Sequence, residues 1–184
     1  MKKAGNRSVS DFCSAIICLS LKISCKAMSP DFVINALESE SFSKYFEMSN
    51  AELNSIGAYL FTADKCPCYP CRVSLEDAKV GETVLAITYE HHSVAGAYRS
   101  CGPIFVRKKA ASALTNKNSI PDMLVHRTLS VSGYNNESLM IEADIIAGKD
   151  LEATLASQFL NDSVDYIHIH NAGPGCFNCS VTRV

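Results

Sequence analysis

The sequence predicts an α+β domain around a mainly antiparallel sheet of about six strands, with a few short helices packed on one face. Three observations lead there. A length of 184 residues, with 47% hydrophobic and 20% charged content, fits one domain large enough to bury a core. Six segments of strand character dominate the chain after position 82, mostly joined by short turns. Helical periodicity is confined to regions near each end.

The first segment, residues 1–27, has a basic start, an apolar stretch from Phe12 to Leu21 and a small residue at Ala27, the outline of a weak signal peptide. Lys22 and Lys26 place charge where such a peptide is normally uncharged. An N-terminal extension outside the fold is therefore expected, with a single domain over residues 28–184. A cytoplasmic location follows, secretion being the alternative if residues 1–27 act as a signal peptide.

In SFSKYFEMSNAELNSIGAYL, Phe42, Phe46, Leu53, Ile56 and Leu60 recur at helical spacing around a Ser-Asn break, which predicts two short helices. Ser49 followed three residues later by Glu52 predicts a capping box at the second. Ser74, Glu76 and Asp77 suggest one helical turn ending by Gly81. The strands follow as TVLAITYEHH, GPIFVRK, LVHRTLSVSGYN, SLMIEADIIAG, DYIHIH and CSVTRV, with Asn135-Asn136 as a hairpin link and a last helix at DLEATLASQFLND.

Composition excludes several partner classes. The 17 basic and 19 acidic residues are spread along the chain for a net charge of −2, so no basic stripe invites nucleic acid or an anionic membrane surface. No apolar run approaches the roughly 20 residues that span a bilayer. Oligomeric state leaves no mark in the sequence.

Nine cysteines are many, and Cys66, Cys68, Cys71, Cys101, Cys176 and Cys179 fall within the expected domain. A chain of this size does not need disulfides, so reduced thiols are expected, available for packing, metal binding or reactivity. Cys68-Tyr69-Pro70-Cys71 is a C-x-x-C, but no long helix follows it, which argues against thioredoxin-like chemistry. Paired with Cys176 and Cys179 it could supply a thiolate zinc site, with His168 or His170 replacing a cysteine.

The two-residue strand period assigns faces. Ile167 and Ile169 take the apolar face of their strand, turning His168 and His170 the other way with Tyr166. Leu129 and Val131 face inward, leaving Thr128, Ser130 and Ser132 outward. Leu139, Ile141, Ala143 and Ile145 share a face opposite Glu142 and Asp144. If these strands share a sheet, histidines, hydroxyls and carboxylates are expected on one polar face. In YEHH, the imidazoles of His91 and His92 are expected to face a loop.

The motifs YPCRVSLEDAKVGE, LAITYEH, YRSCGPIFVR and YIHIHNAGPGCFNCSVTR resemble a bacterial family catalogued as domain of unknown function 1203. The resemblance covers residues 60–184, and more loosely the chain from Met28. It implies a pattern and no reaction. Pro70, Cys71, Arg72, Tyr98, Arg99, Gly102, Pro103, His168, His170, Asn171, Gly175, Cys176 and Arg183 match its motifs. Cys68 and Cys101 replace smaller residues, while Cys66 and Cys179 fall outside the pattern, which weakens a four-cysteine zinc site.

Two functional expectations remain. One is a Cys/His/Arg pocket for a small anionic molecule: Cys176 or Cys71 as nucleophile, His168 or His170 as general base, and Arg72, Arg99 and Asn171 as binding groups. The other is a non-catalytic module binding a small molecule or zinc, with His168, His170 and Cys176 as candidate ligands.

Overall fold

A computed structural model describes residues 30–184, so the extension expected over residues 1–27 and its cysteines lie outside the described residues. The chain runs β1 (Phe32–Asn35), α1 (Glu40–Ser43), a 3-10 turn (Lys44–Phe46), α2 (Asn50–Ser55), β2 (Tyr59–Thr62), β3 (Thr83–His92), β4 (Ser100–Arg107), α3 (Asp122–Val125), β5 (Thr128–Tyr134), β6 (Met140–Ala147), a second 3-10 turn (Gly148–Asp150), α4 (Leu151–Gln158), β7 (Tyr166–Asn171) and β8 (Phe177–Arg183). The class is α+β as predicted. Among the described residues, no helix is long and apolar enough to cross a membrane.

Among the described residues, eight strands form two antiparallel sheets, one of five in the order β1-β8-β7-β5-β6 and one of three in the order β2-β3-β4. The two strands without a sequence signal, β1 and β2, are four residues each, too short for alternation to stand out. Leu60, counted toward a helical period, lies in β2. The capping box is present: the Ser49 side chain accepts from the Glu52 amide, and the Glu52 carboxylate accepts from the Ser49 amide at 2.7 Å. Asn135 turns β5 into β6, its Oδ1 accepting from the Glu137 and Leu139 amides.

In residues 70–77 the expected helical turn is reduced to one i→i+4 bond, the Leu75 amide donating to the Cys71 carbonyl at 3.0 Å. Pro70 bridges to Asp77 and Cys71 to Phe105, so this stretch is a clasp along the edge of β4. Its backbone is used in long-range pairing, the Arg72 amide donating to the Phe105 carbonyl at 3.0 Å.

Helix α4 covers one face of the five-stranded sheet, burying Leu151, Leu155 and Phe159 against Leu129, Val131, Ile167, Ile169 and Val181. A second core gathers Phe42, Leu53, Cys71, Val73, Leu85 and Ile104 between α1, α2, the clasp and the three-stranded sheet. Gly148 enters α4 so close to α3 that a Cβ there would lie 1.9 Å from the Leu124 carbonyl oxygen.

Face assignment holds for β5 and β7 and inverts for β6. Ser132 pairs with His168 and Ser130 with His170, so hydroxyls and imidazoles share a face. Asp144 pairs instead with Val131 and Glu142 with Gly133, on the opposite face. There the side-chain amides of Gln158 and Asn161 donate to Asp144 and Glu142 at 2.9 and 2.6 Å. Ile145 is left 75% exposed. β6 is an edge strand, and the polar end of α4 covers the side that an apolar core would otherwise occupy.

Candidate functional site

The polar face of β5 and β7 meets the end of β3, and four imidazoles converge there. His91 and His92 are consecutive, and a regular strand would send them to opposite faces. A bulge between Glu90 and His92 shifts the register, and both rings reach His168, at centroid distances of 6.1 and 4.8 Å. Further register shifts lie between Ile169 and His170 and between Gly133 and Tyr134. All three irregularities border the cluster.

Aromatic rings close it. Phe177 stacks on His91 with an interplanar angle of 11°, and Tyr134 stacks on Tyr166 at 12°. His92 is fixed at both nitrogens, Nδ1 lying 2.7 Å from the Tyr98 carbonyl oxygen and Nε2 2.7 Å from the Tyr166 hydroxyl. His170 Nε2 lies 3.3 Å from His91 Nε2. Nδ1 of His168 and Nδ1 of His91 are buried without a hydrogen-bond partner.

Burial here disfavours positive charge. It lowers His168 to about 3 and His170 to about 4, reinforced in each case by neighbouring imidazoles, and for His170 also by Arg72. Burial also lowers His91, with the backbone of Tyr89 opposing. His91, His168 and His170 are therefore neutral near pH 7, able to offer lone pairs.

Arg72 spans the two sheets. Its backbone joins β4, while its Nε donates to the Phe177 carbonyl of β8 at 2.7 Å and its Nη1 to the Pro70 carbonyl. The residue is 1% exposed, and no carboxylate pairs with it among the described residues. Burial lowers its pKa to about 10, opposed by the sulfurs of Cys176, Cys71 and Cys179.

The β7–β8 turn carries the remaining candidates. Gly175 adopts φ +74°, a conformation that side chains disfavour, and the Asn171 amide donates to the Cys176 carbonyl at 2.9 Å. Asn171 Oδ1 accepts from Asn178 at 2.9 Å. Asn171, Gly173 and Pro174 line a surface cleft of about 450 Å³ together with Cys68, His126 and Arg127. Arg127 is held by Asp77 through two bonds, 3.0 and 2.5 Å.

The predicted site residues thus divide. His168 and His170 come together, and Arg72 lies within electrostatic range of both His170 and Cys176. Cys71 is fully buried in the second core, its sulfur accepting from the Ser74 and Arg107 amides, so Cys176 is the partly exposed thiol near Arg72. Arg99 stands apart, paired with Glu90 at the surface. His91 and His92 do not face a loop as expected; the bulge turns them inward, and no periodic signal announces a bulge. Tyr134 and Phe177 were equally silent as site residues, since aromatics at strand ends read as core. Among the described residues, no group of three or more His, Cys, Asp or Glu side chains is arranged to hold a metal ion.

A family model described as "Protein of unknown function (DUF1203)" matches residues 68–183, which include every residue of the imidazole cluster and both candidate thiols. No curated protein and no solved structure matches the chain.

Proposed function

For a chain that belongs to the DUF1203 family, whose description carries no activity, we propose binding of a small anionic molecule where the β7–β8 turn meets the Pro70–Arg72 clasp. Arg72 supplies the charge, Asn171 a polar contact, Cys176 a thiol nucleophile and His170 a neutral proton acceptor.

Arg72 carries this reading. A guanidinium removed from water needs an opposing charge, and two backbone carbonyls supply only partial ones. Every other arginine with a bonded guanidinium in the described residues, apart from Arg183, has a carboxylate partner: Arg99 with Glu90, Arg107 with Glu76 and Glu82, Arg127 with Asp77. Arg183 is only partly buried, its guanidinium donating to the Asn161 and Val164 carbonyls. Among the described residues, Arg72 alone combines full burial with a neighbouring thiol and imidazole.

Alkylation of the reduced chain by anionic iodoacetate and by neutral iodoacetamide, resolved by site with peptide mass spectrometry, tests it. Relative to exposed Cys66 and Cys101, Cys176 is expected to favour iodoacetate by about fivefold, the effect of roughly 1 kcal/mol from one nearby charge. Millimolar inorganic phosphate is expected to abolish that preference. Equal reagent ratios at Cys176 and Cys101, indifferent to phosphate, would refute the proposal.

A further inference from the structure

We infer that His91 and His170 form a binding site for one zinc-class divalent transition-metal ion, joining the two sheets. The geometry is that of a ligand pair. Their Nε2 atoms face each other at 3.3 Å. Two nitrogens on a tetrahedral ion with bonds of about 2.0–2.1 Å stand about 3.3–3.4 Å apart. The same separation lies at the long end for a hydrogen bond, N–H···O bonds clustering at about 2.9–3.0 Å.

The chemistry agrees with the spacing. Metal binding requires neutral imidazole, and burial keeps both rings neutral at physiological pH. Imidazole donors suit zinc, copper, nickel and cobalt rather than magnesium or calcium. Both residues are only partly buried, which leaves a path for the ion.

Two protein ligands leave the remaining coordination positions to water or an exogenous ligand. His168 stands beside them, its ring centre 6.1 and 6.2 Å from the other two and its buried Nδ1 without a partner. It borders the ion and polarises or hydrogen-bonds whatever fills an open position. The site shares His170 with the anion site, where an Nε2 bound to the ion no longer accepts a proton, while neither Arg72 nor Cys176 is a ligand.

The test titrates the full reduced chain with Zn²⁺ by calorimetry, beside His91→Asn, His170→Asn and, as a control away from the cluster, His126→Asn. One equivalent per chain is expected, weakened at least about tenfold by either cluster substitution and unchanged by the control. The ¹⁵N resonances of both Nε2 atoms in the unsubstituted chain are expected to move on zinc addition, a readout that does not depend on the variants folding. Stationary Nε2 resonances, or zinc binding that Cys66→Ser or Cys68→Ser removes while His91→Asn and His170→Asn leave it intact, would overturn the site.

Discussion

Strand β7 faces two interiors that differ in kind. From one side Ile167 and Ile169 enter a core of Leu129, Val131, Leu155 and Phe159, where each group contributes area and none needs a partner. From the other, His168 and His170 enter a space shared with His91, His92, Tyr134 and Tyr166, where buried nitrogens remain without hydrogen bonds. Alternation along six residues therefore separates apolar cohesion from a cluster of unpartnered polar groups. The first interior holds the sheet to its helix, and the second keeps lone pairs available.

That separation can be broken most forcefully on the apolar side. Ile167→Ala leaves a cavity in the core packed against α4, and a loss of about 2–5 kcal/mol is expected from urea unfolding. An equally large loss from the imidazole side would erase the distinction.

Acid probes the polar side. His168 and His170 have folded pKa values of about 3 and 4, below the ordinary 6.5 that the unfolded chain recovers. The unfolded state then binds more protons wherever the pH lies between those limits. Their contribution is complete above about pH 6.5 and declines as pH falls, to about 4 for His170 and about 3 for His168, by up to about 1.4 kcal/mol per pH unit for each. Thermal unfolding at a series of pH values checks the slope, and a flat profile from pH 7 to 5 would contradict burial of neutral imidazoles.

The smallest expected effect is also the sharpest contrast. His168→Phe removes a buried nitrogen that has no partner and keeps a ring among rings, so a change within about 1.5 kcal/mol of zero is expected in the same unfolding experiment. A loss comparable with that of Ile167→Ala would mean that the Nδ1 atom is bonded after all.

The legible parts of this molecule were those governed by local rules. Ser49 and Glu52 specify a cap within four residues, and Thr83–His92 announces its strand by ten residues of β-type sequence. The facing of His168 followed from its isoleucine neighbours, because both faces of β7 are covered and only one is apolar. Ile145 misled for the converse reason. It lies on an edge strand, where alternation persists but no core receives it, and α4 offered amides to Asp144 instead.

The candidate site was half legible. Its β7 and β8 residues could be named because they lie within one hairpin, whereas His91 and His92 arrive from a sheet whose packing no local pattern encodes. Arg72 was visible as a charge, but its lack of a carboxylate partner is a property of the folded chain. Cys71 and Cys176 looked alike in sequence and differ only because one lies under α1 and α2 and the other at a turn.

The bulge at Glu90 to His92 has a consequence for how such chains change length. Removing one residue there would restore continuous pairing with β4 and regain a ladder hydrogen bond, yet it would return one imidazole to the far side of the strand. The extra residue therefore exchanges one ladder hydrogen bond for two rings that reach the same neighbour, His168.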